Sequence, residues 1–467
     1  MTRATGLETS TALDLDWLRT QMASCAFWPR DQVERVGPIE MLYSNLEPGR
    51  IIVLYRVPIR ARGAARQVLY TGVVVPPAEV ESLVRTLRRA ARRRAPIGRA
   101  VIPLRDGHAA LLAYPNDLTM RLPEGLGSAR RLASRLSRRI DRDGRGAPRV
   151  EEASLELLRY VPERRWTARC RWMVADGTSG LGARTAIVKQ FARPARAQRC
   201  FACLEAFGNG ADQAGRPRVG FVADRPIRIP RALGATLASG VVSIESLPGR
   251  PLASQLEGAG LEPLMRGLGR SLAGFHRSEV ALTRCWTPGD ERRQIDEAFD
   301  AIAAAYPDLA RRLDRLRPRL GRATDRHGPK GVLHGSLRLN HVLVHRGRFA
   351  FVDLDGARRG PPAYDIANLM ASLYYLEAEE RVSRAARRRI ARFVMEGYAS
   401  VAAEDVPTRT LLGFVADLLV AKQALKYATR LRQDRRRRLE RMLDLAEEIS
   451  MLASRPTAAA AAWKVMP

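Results

Sequence analysis

Two carboxylates stand two residues apart at Asp353 and Asp355, directly after the apolar run Phe349-Ala350-Phe351-Val352. Acidic groups at the end of a buried strand are costly unless they have a task. Just upstream, Val332-Leu333-His334-Gly335-Ser336 is a short apolar approach ending in a sharp turn. Val342-Leu343-Val344, the polar His345-Arg346-Gly347-Arg348 and the Phe349–Val352 run together give a hairpin signal. The hairpin thus separates a histidine–glycine turn from a pair of acids. An imidazole, His341, stands immediately before its first strand.

This stretch resembles the catalytic segment of the aminoglycoside phosphotransferase and choline kinase-like families, small-molecule relatives of protein kinases. His334, Gly335, the Val-Leu-Val strand and Asp353-Leu354-Asp355 match the family pattern, and Tyr364-Asp365-Ile366-Ala367 resembles its loop-bracing motif. Two positions depart from it. Ser336 occupies the place of the family's catalytic Asp, and His341 that of its metal-binding Asn, with Asn340 one residue early. The resemblance implies an α+β, protein-kinase-like fold of two lobes, a five-stranded antiparallel N-lobe and a mostly helical C-lobe. It also implies ATP or GTP as phosphoryl donor with Mg²⁺ or Mn²⁺.

The same comparison singles out Lys189, at the end of Ala186-Ile187-Val188, the first of only five lysines in the chain. A compact ammonium kept among arginines suits a point charge between two phosphates, where a guanidinium fork is too wide. Glu205, near the end of the helix expected over Arg196–Phe207, is its expected partner; the alternative is an edge-strand lysine and a solvated glutamate. Ser243–Leu247 resembles the hinge whose backbone bonds an adenine edge, which makes Glu245 and Leu247 nucleotide-site candidates. Asp353 and His341 are the metal candidates, the latter better suited to Mn²⁺ or Zn²⁺ than to Mg²⁺. Ser336, His334 and Asp355 are the candidates for catalytic positions. His276 ends the helix expected over Leu264–His276 and reads as a packed structural histidine.

A length of 467 residues predicts more than one core, and 46% hydrophobic content predicts a folded chain. No run of 18 apolar residues occurs and the first residues lack a signal-peptide core, so a cytoplasmic location is expected. Five cysteines lack zinc spacing, and Cys200 and Cys203 fit one face of a helix. The net charge of +30 attracts phosphate backbones in any context. Nearly all of it is arginine, in runs at 85–94, 130–149, 384–392 and 430–441, without interleaved aromatics. Solvated helix faces are therefore favoured over a nucleic-acid or anionic-membrane surface. The acceptor is expected to be an unidentified small molecule.

The positioning elements repeat. Ile39–Tyr43 and Ile51–Tyr55 flank a Pro-Gly turn, a strand follows at Val68–Val75, then a helix at Ala78–Arg92 and strands at Arg99–Leu104 and Ala109–Tyr114. Leu155–Tyr160, Trp166–Trp172, Thr185–Phe191, a helix from Pro194, Ile227–Leu233 and Val241–Leu247 follow the same order. We read this as a duplicated five-stranded unit. The first copy contains no lysine. The expected divisions are an N-terminal helix and extension (1–30), a degenerate N-lobe-like repeat (31–125), a basic linker (126–149), the N-lobe (150–253), a helical C-lobe (254–455) and a disordered tail (456–467). The expected function is small-molecule phosphoryl transfer of altered or reduced catalysis. The alternative is a pseudokinase that binds nucleotide or a partner without catalysis.

Overall fold

A computed structural model describes residues 7–8, 10–23, 28, 33–92, 95, 97–122, 125–140, 150–176, 180–209, 227–257, 260–321, 330–402, 406–432 and 434–454. The tail read as disordered lies outside them. The chain divides into two compact units. The first holds residues 1–198, 233–244 and 429–431, and the second the remainder.

The first unit opens with α1 (Leu15–Ala23) and a sheet of β1 (Arg35–Val36), β2 (Glu40–Glu47), β3 (Arg50–Ala61), β4 (Ala64–Val74), β5 (Val101–Leu104) and β6 (Ala109–Ala113). The helix α2 (Val80–Ala90) lies in sequence between β4 and β5. It buries Val80, Val84 and Leu87 at helical spacing and ends in Arg88 and Arg89, cations suited to a helix C-terminus. Strands β2 and β3 form the expected hairpin, with Gly49 at φ +78° in the turn, where a side chain would be strained.

The next helix, α3 (Gly125–Ile140), corrects an expectation. Its arginine-rich sequence suggested a linker, yet Ala129, Ala133 and Leu136 are buried along one stripe. They pack on the second sheet, made of β7 (Val150–Val161), β8 (Arg165–Asp176), β9 (Gly180–Phe191), β10 (Ala232–Thr236) and β11 (Val241–Glu245). The helix α4 (Pro194–Asn209) lies in sequence between β9 and β10. The strand expected at Ile227–Leu233 begins instead at Ala232, because Pro230 has no N–H to give a ladder.

The sheets have the same order. The first runs β2-β3-β4-β6-β5, with β1 as a sixth strand on β3 where five were expected, and the second β7-β8-β9-β11-β10; in chain order each has its helix after the third of these five strands. Strand β8 alternates, with Trp166, Ala168, Cys170, Trp172 and Val174 buried on one face. These join α3 and the first sheet's Tyr43 and Leu54 in one core. Arg50 grips Glu163 with two nitrogens, at 3.2 and 3.0 Å, and Asp117 accepts from the Tyr160 hydroxyl at 2.6 Å.

The second unit is mainly helical. In chain order it adds β12 (Arg250–Pro251), α5 (Leu261–His276), α6 (Pro288–Ala305), α7 (Ala310–Leu316), β13 (Gly331–Leu333), β14 (Val342–His345), β15 (Arg348–Phe351) and β16 (Arg358–Gly360). There follow α8 (Ala363–Ala378), α9 (Arg384–Ala399), α10 (Thr408–Leu418), the π-helical turn Leu419–Ala424, α11 (Leu425–Ala428) and α12 (Arg435–Ala453). Many arginines of these helices are ion-paired on the surface, for example Arg312 with Glu447 and Arg436 with Asp308. No helix is long and apolar enough to cross a membrane among the described residues.

Candidate functional site

The site is built on a pair of short ladders. Strand β13 pairs with β16, Leu333 opposite Arg358, and so delivers His334-Gly335-Ser336 beside the turn that follows Asp355. Strands β14 and β15 pair with Val342 opposite Phe351. The Val352 amide then donates to the His341 carbonyl at 2.9 Å, which sets His341 across from the start of the acidic turn. His341 Nε2 and Asp353 Oδ2 are 3.5 Å apart. Both side chains are partly exposed, at 14% and 24%. Asp353 holds φ +66° and heads the 3₁₀ turn Leu354–Gly356, a conformation that aspartate tolerates better than most residues.

Asp365, at the start of α8, braces the loop. Its carboxylate accepts from the His334 amide at 2.5 Å and the Gly335 amide at 2.8 Å. His276 Nε2 stands 3.5 Å from the same group, and its Nδ1 is 2.9 Å from the Tyr398 hydroxyl. Burial alone would push the Asp365 carboxyl up; the nearby His276 and His334 and the loop amides outweigh it and hold the group below its ordinary value. Gly335 has φ +76°, and a Cβ there would meet the Gly356 carbonyl at 2.1 Å. Only glycine fits that turn.

His334 is fully buried, which places it as a positioning group rather than one that meets substrate. Its Nε2 lies 2.9 Å from the Val352 carbonyl, which fixes Nε2 as the protonated nitrogen. Burial lowers its pKa and keeps the ring neutral. The ring stacks on His341, with centroids 5.3 Å apart and planes 12° off parallel. Ser336 is half-buried, and its hydroxyl lies 3.6 Å from where a Cβ on Gly356 would sit. Asp355 is half-buried on the same turn.

The helix α4 contributes a buried face. Cys203 Sγ is 3.3 Å from the Leu354 carbonyl, and Phe207 stacks on Phe275, which meets Phe351 edge-on at 5.2 Å. Glu205 falls two residues from both Cys203 and Phe207, on the opposite side of the helix, and is exposed. Glu205 makes no ion pair among the described residues. Lys189 is half-buried on β9 opposite Thr167 and belongs to the first unit.

Glu245, expected at the hinge, is tied by its side chain, which accepts from Arg228 Nη2 at 2.6 Å and the Arg231 amide at 3.1 Å. The strand ends there, and Leu247 lies beyond it with a backbone that makes no hydrogen bond among the described residues. No group of three or more His, Cys, Asp or Glu side chains converges among the described residues. Asp353 with His341 is therefore a two-donor set. Its one carboxylate could hold a divalent ion in the manner of kinase sites, completed by phosphate oxygens and water, and the imidazole favours Mn²⁺ over Mg²⁺ there.

Two residues near the site were not singled out as functional from the sequence. Arg358 Nη2 donates to the Gly335 carbonyl at 3.4 Å, and its guanidinium lies 5.0 Å from the Tyr364 ring. Lys422, in the π-helical turn, donates to Asn368 Oδ1 at 2.5 Å and stands 5.5 Å from the Tyr364 ring. The rarity of lysine, used for Lys189, is the signal that could have pointed to it. Burial, reinforced by Arg338 and Arg358 against Asp365 and Glu291, lowers its pKa from 10.5 to about 7. The unfolded chain then binds more protons than the folded one between those values, so stability rises with pH from about 7 to 10.5. Urea midpoints across this range should flatten in Lys422→Met; an unchanged slope would show the lysine to be uninvolved.

A lysine-bearing antiparallel sheet, followed by a helical unit with a braced His-Gly turn and an Asp-x-Asp after a hairpin, defines a protein-kinase-like α+β fold. Residues 180–403 match the model of the phosphotransferase enzyme family, and over that segment the chain resembles it. No curated protein matches the chain. A macrolide 2'-phosphotransferase from Brachybacterium faecium shares 18% identity over 69% of this chain and 98% of its own, with a TM-score of 0.40. A choline kinase from Streptococcus pneumoniae shares 14% over 65% and 94%, with a TM-score of 0.39. An aminoglycoside phosphotransferase from Streptomyces rimosus shares 18% over 60% and 94%, with a TM-score of 0.35.

Proposed function

We propose that the protein binds ATP or GTP and transfers the terminal phosphoryl group to a small-molecule hydroxyl, with an altered catalytic loop. The observation that carries this reading is the His341–Asp353 pair, held at the hairpin end beside a loop that Asp365 clamps by two backbone amides. In this reading Asp353 and His341 hold the divalent ion, which when bound neutralises developing phosphate charge. Lys189 supplies a point charge to the nucleotide phosphates, and the free backbone of Leu247 offers adenine its edge contacts. Ser336 orients the acceptor hydroxyl but is too weak a base to take its proton. Asp355, on the turn beside Ser336, is the carboxylate that receives it as the hydroxyl oxygen bonds to phosphorus and the bond to the leaving phosphate breaks. The shared strand order supports residues 33–123 as a second copy of the 151–253 unit, one without the lysine. The serine in place of a carboxylate favours a second reading, a binder without turnover.

Nucleotide binding is tested by thermal shift. ATP or GTP with Mg²⁺ or Mn²⁺ should raise the melting temperature, by about 2.7 kcal/mol of stabilisation at a hundredfold excess over Kd. Lys189→Ala should remove most of that shift. If no nucleotide moves the wild type with either ion, phosphoryl transfer fails as a reading, and the second reading keeps only a binder of some other partner.

A further inference from the structure

The first unit carries a second cleft, on the face of the second sheet opposite Lys189. Val188 and Gln190 flank Lys189 on β9 and therefore point to the other side of the sheet. Together with α3 they line a cleft of about 600 Å³, within the range of small-molecule sites. Its floor is apolar: Trp166 and Val188 from the sheet, Leu132 and Leu136 from α3. Its rim is cationic: Arg121, Arg135, Arg138 and Arg139.

These four arginines are exposed, and none has a carboxylate partner among the described residues. That sets them apart from the paired arginines of the second unit. Two of them are seated: Arg138 Nε donates to the Ser134 carbonyl at 3.3 Å, and Arg139 Nη2 stands 3.5 Å from the Ala235 carbonyl. Gly234 makes the second seat possible, because a Cβ there would fall 1.4 Å from Arg139 Nη1. A further polar group waits inside. Ser243 is 6% exposed, lines the cleft, and its hydroxyl has no partner among the described residues. An apolar floor, a serine hydroxyl and a rim of uncompensated forks are complementary to one kind of molecule.

We propose that this cleft binds a small amphipathic anion, a ring-sized apolar body carrying a phosphate or carboxylate. The apolar body rests on Leu132 and Val241, the half-buried apolar residues of the lining, and the anionic group meets Arg135 and Arg139. Because β9 carries both the cleft floor and Lys189, such a ligand braces from behind the strand that presents the lysine.

The test is calorimetric titration of the whole protein with 1-naphthyl phosphate, 1-naphthoate, 1-naphthol and inorganic phosphate. At least one naphthyl anion should bind ten times or more tighter than either naphthol or inorganic phosphate. The stronger of the two identifies the anionic group. Arg135→Glu should weaken that binding by about tenfold or more, the scale of one charge-assisted hydrogen bond. Ser243→Val should weaken it severalfold, and Lys189→Ala should leave it unchanged. Equal affinity for inorganic phosphate would reduce the cleft to the general attraction of a chain of net charge +30. Binding that survives both Arg135→Glu and Arg139→Gln, or is lost in Lys189→Ala, would place the ligand elsewhere and overturn the proposal.

Discussion

Asp365→Ala should lower the melting temperature of the helical unit by roughly 10 °C. Removing one partner from a buried charged network typically costs about 3–5 kcal/mol, and each kcal/mol moves a unit of this size by about 2–4 °C. The loss would fall on named groups. The amides of His334 and Gly335 would be left buried without an acceptor, and His276 would lose its nearby anion. Asp365→Asn keeps the shape but turns an NH₂ toward one of those amides, so it should lose most of the same stability. The pH dependence has a definite sign. Because the folded pKa lies below the ordinary 3.8, the contribution is complete above that value and disappears as the pH falls through the folded one. Both variants melting within a degree of wild type would show that the loop stands without its brace.

The second large effect is a gain. Ser336→Asp with His341→Asn should raise ATP hydrolysis by up to about 10²–10⁴, the range that a positioned general base contributes. Water serves as acceptor, so no substrate has to be known. The frame for the new carboxylate already exists: Gly335 makes the turn, Asp365 clamps it, and the neutral His334 anchors it to Val352. The converse result is informative. A double variant slower than wild type would mean that Ser336 and His341 belong to a mechanism of their own, with Asp355 as the base. Wild-type transfer abolished by Asp353→Ala would exclude the reading without turnover.

The residues that local chemistry dictates were legible in the sequence. Apolar runs around a Pro-Gly turn gave the first sheet's hairpin and apolar runs around Pro162-Glu163 the second's, and the hairpin before Asp353 followed from two apolar runs around a polar turn. The clamp at Asp365 was visible as a loop-bracing motif. What escaped depended on tertiary packing. Helix α3 looked like a linker because its buried stripe is made of alanines and leucines set among arginines, a weak periodic signal in a basic run. Glu205 was chosen as the only acid on α4, but helix phase turns it away from the face that packs on the acidic turn. Arg358 and Lys422 gave no local sign of burial, since a charged residue is enclosed by what surrounds it rather than by its neighbours in sequence.

Helix α3 and the first sheet roof a surface that carries Trp166 and Trp172, both nearly inaccessible, each with its indole nitrogen bonded beneath that roof, to Tyr114 and Ser137. A sheet that stood alone would have to keep such positions polar. Once an added layer covers them, large apolar residues accumulate there, and each one makes the layer harder to lose. Removing residues 1–140 would uncover both indoles and take away the partners of their nitrogens, so the N-terminal third is integral to the first unit.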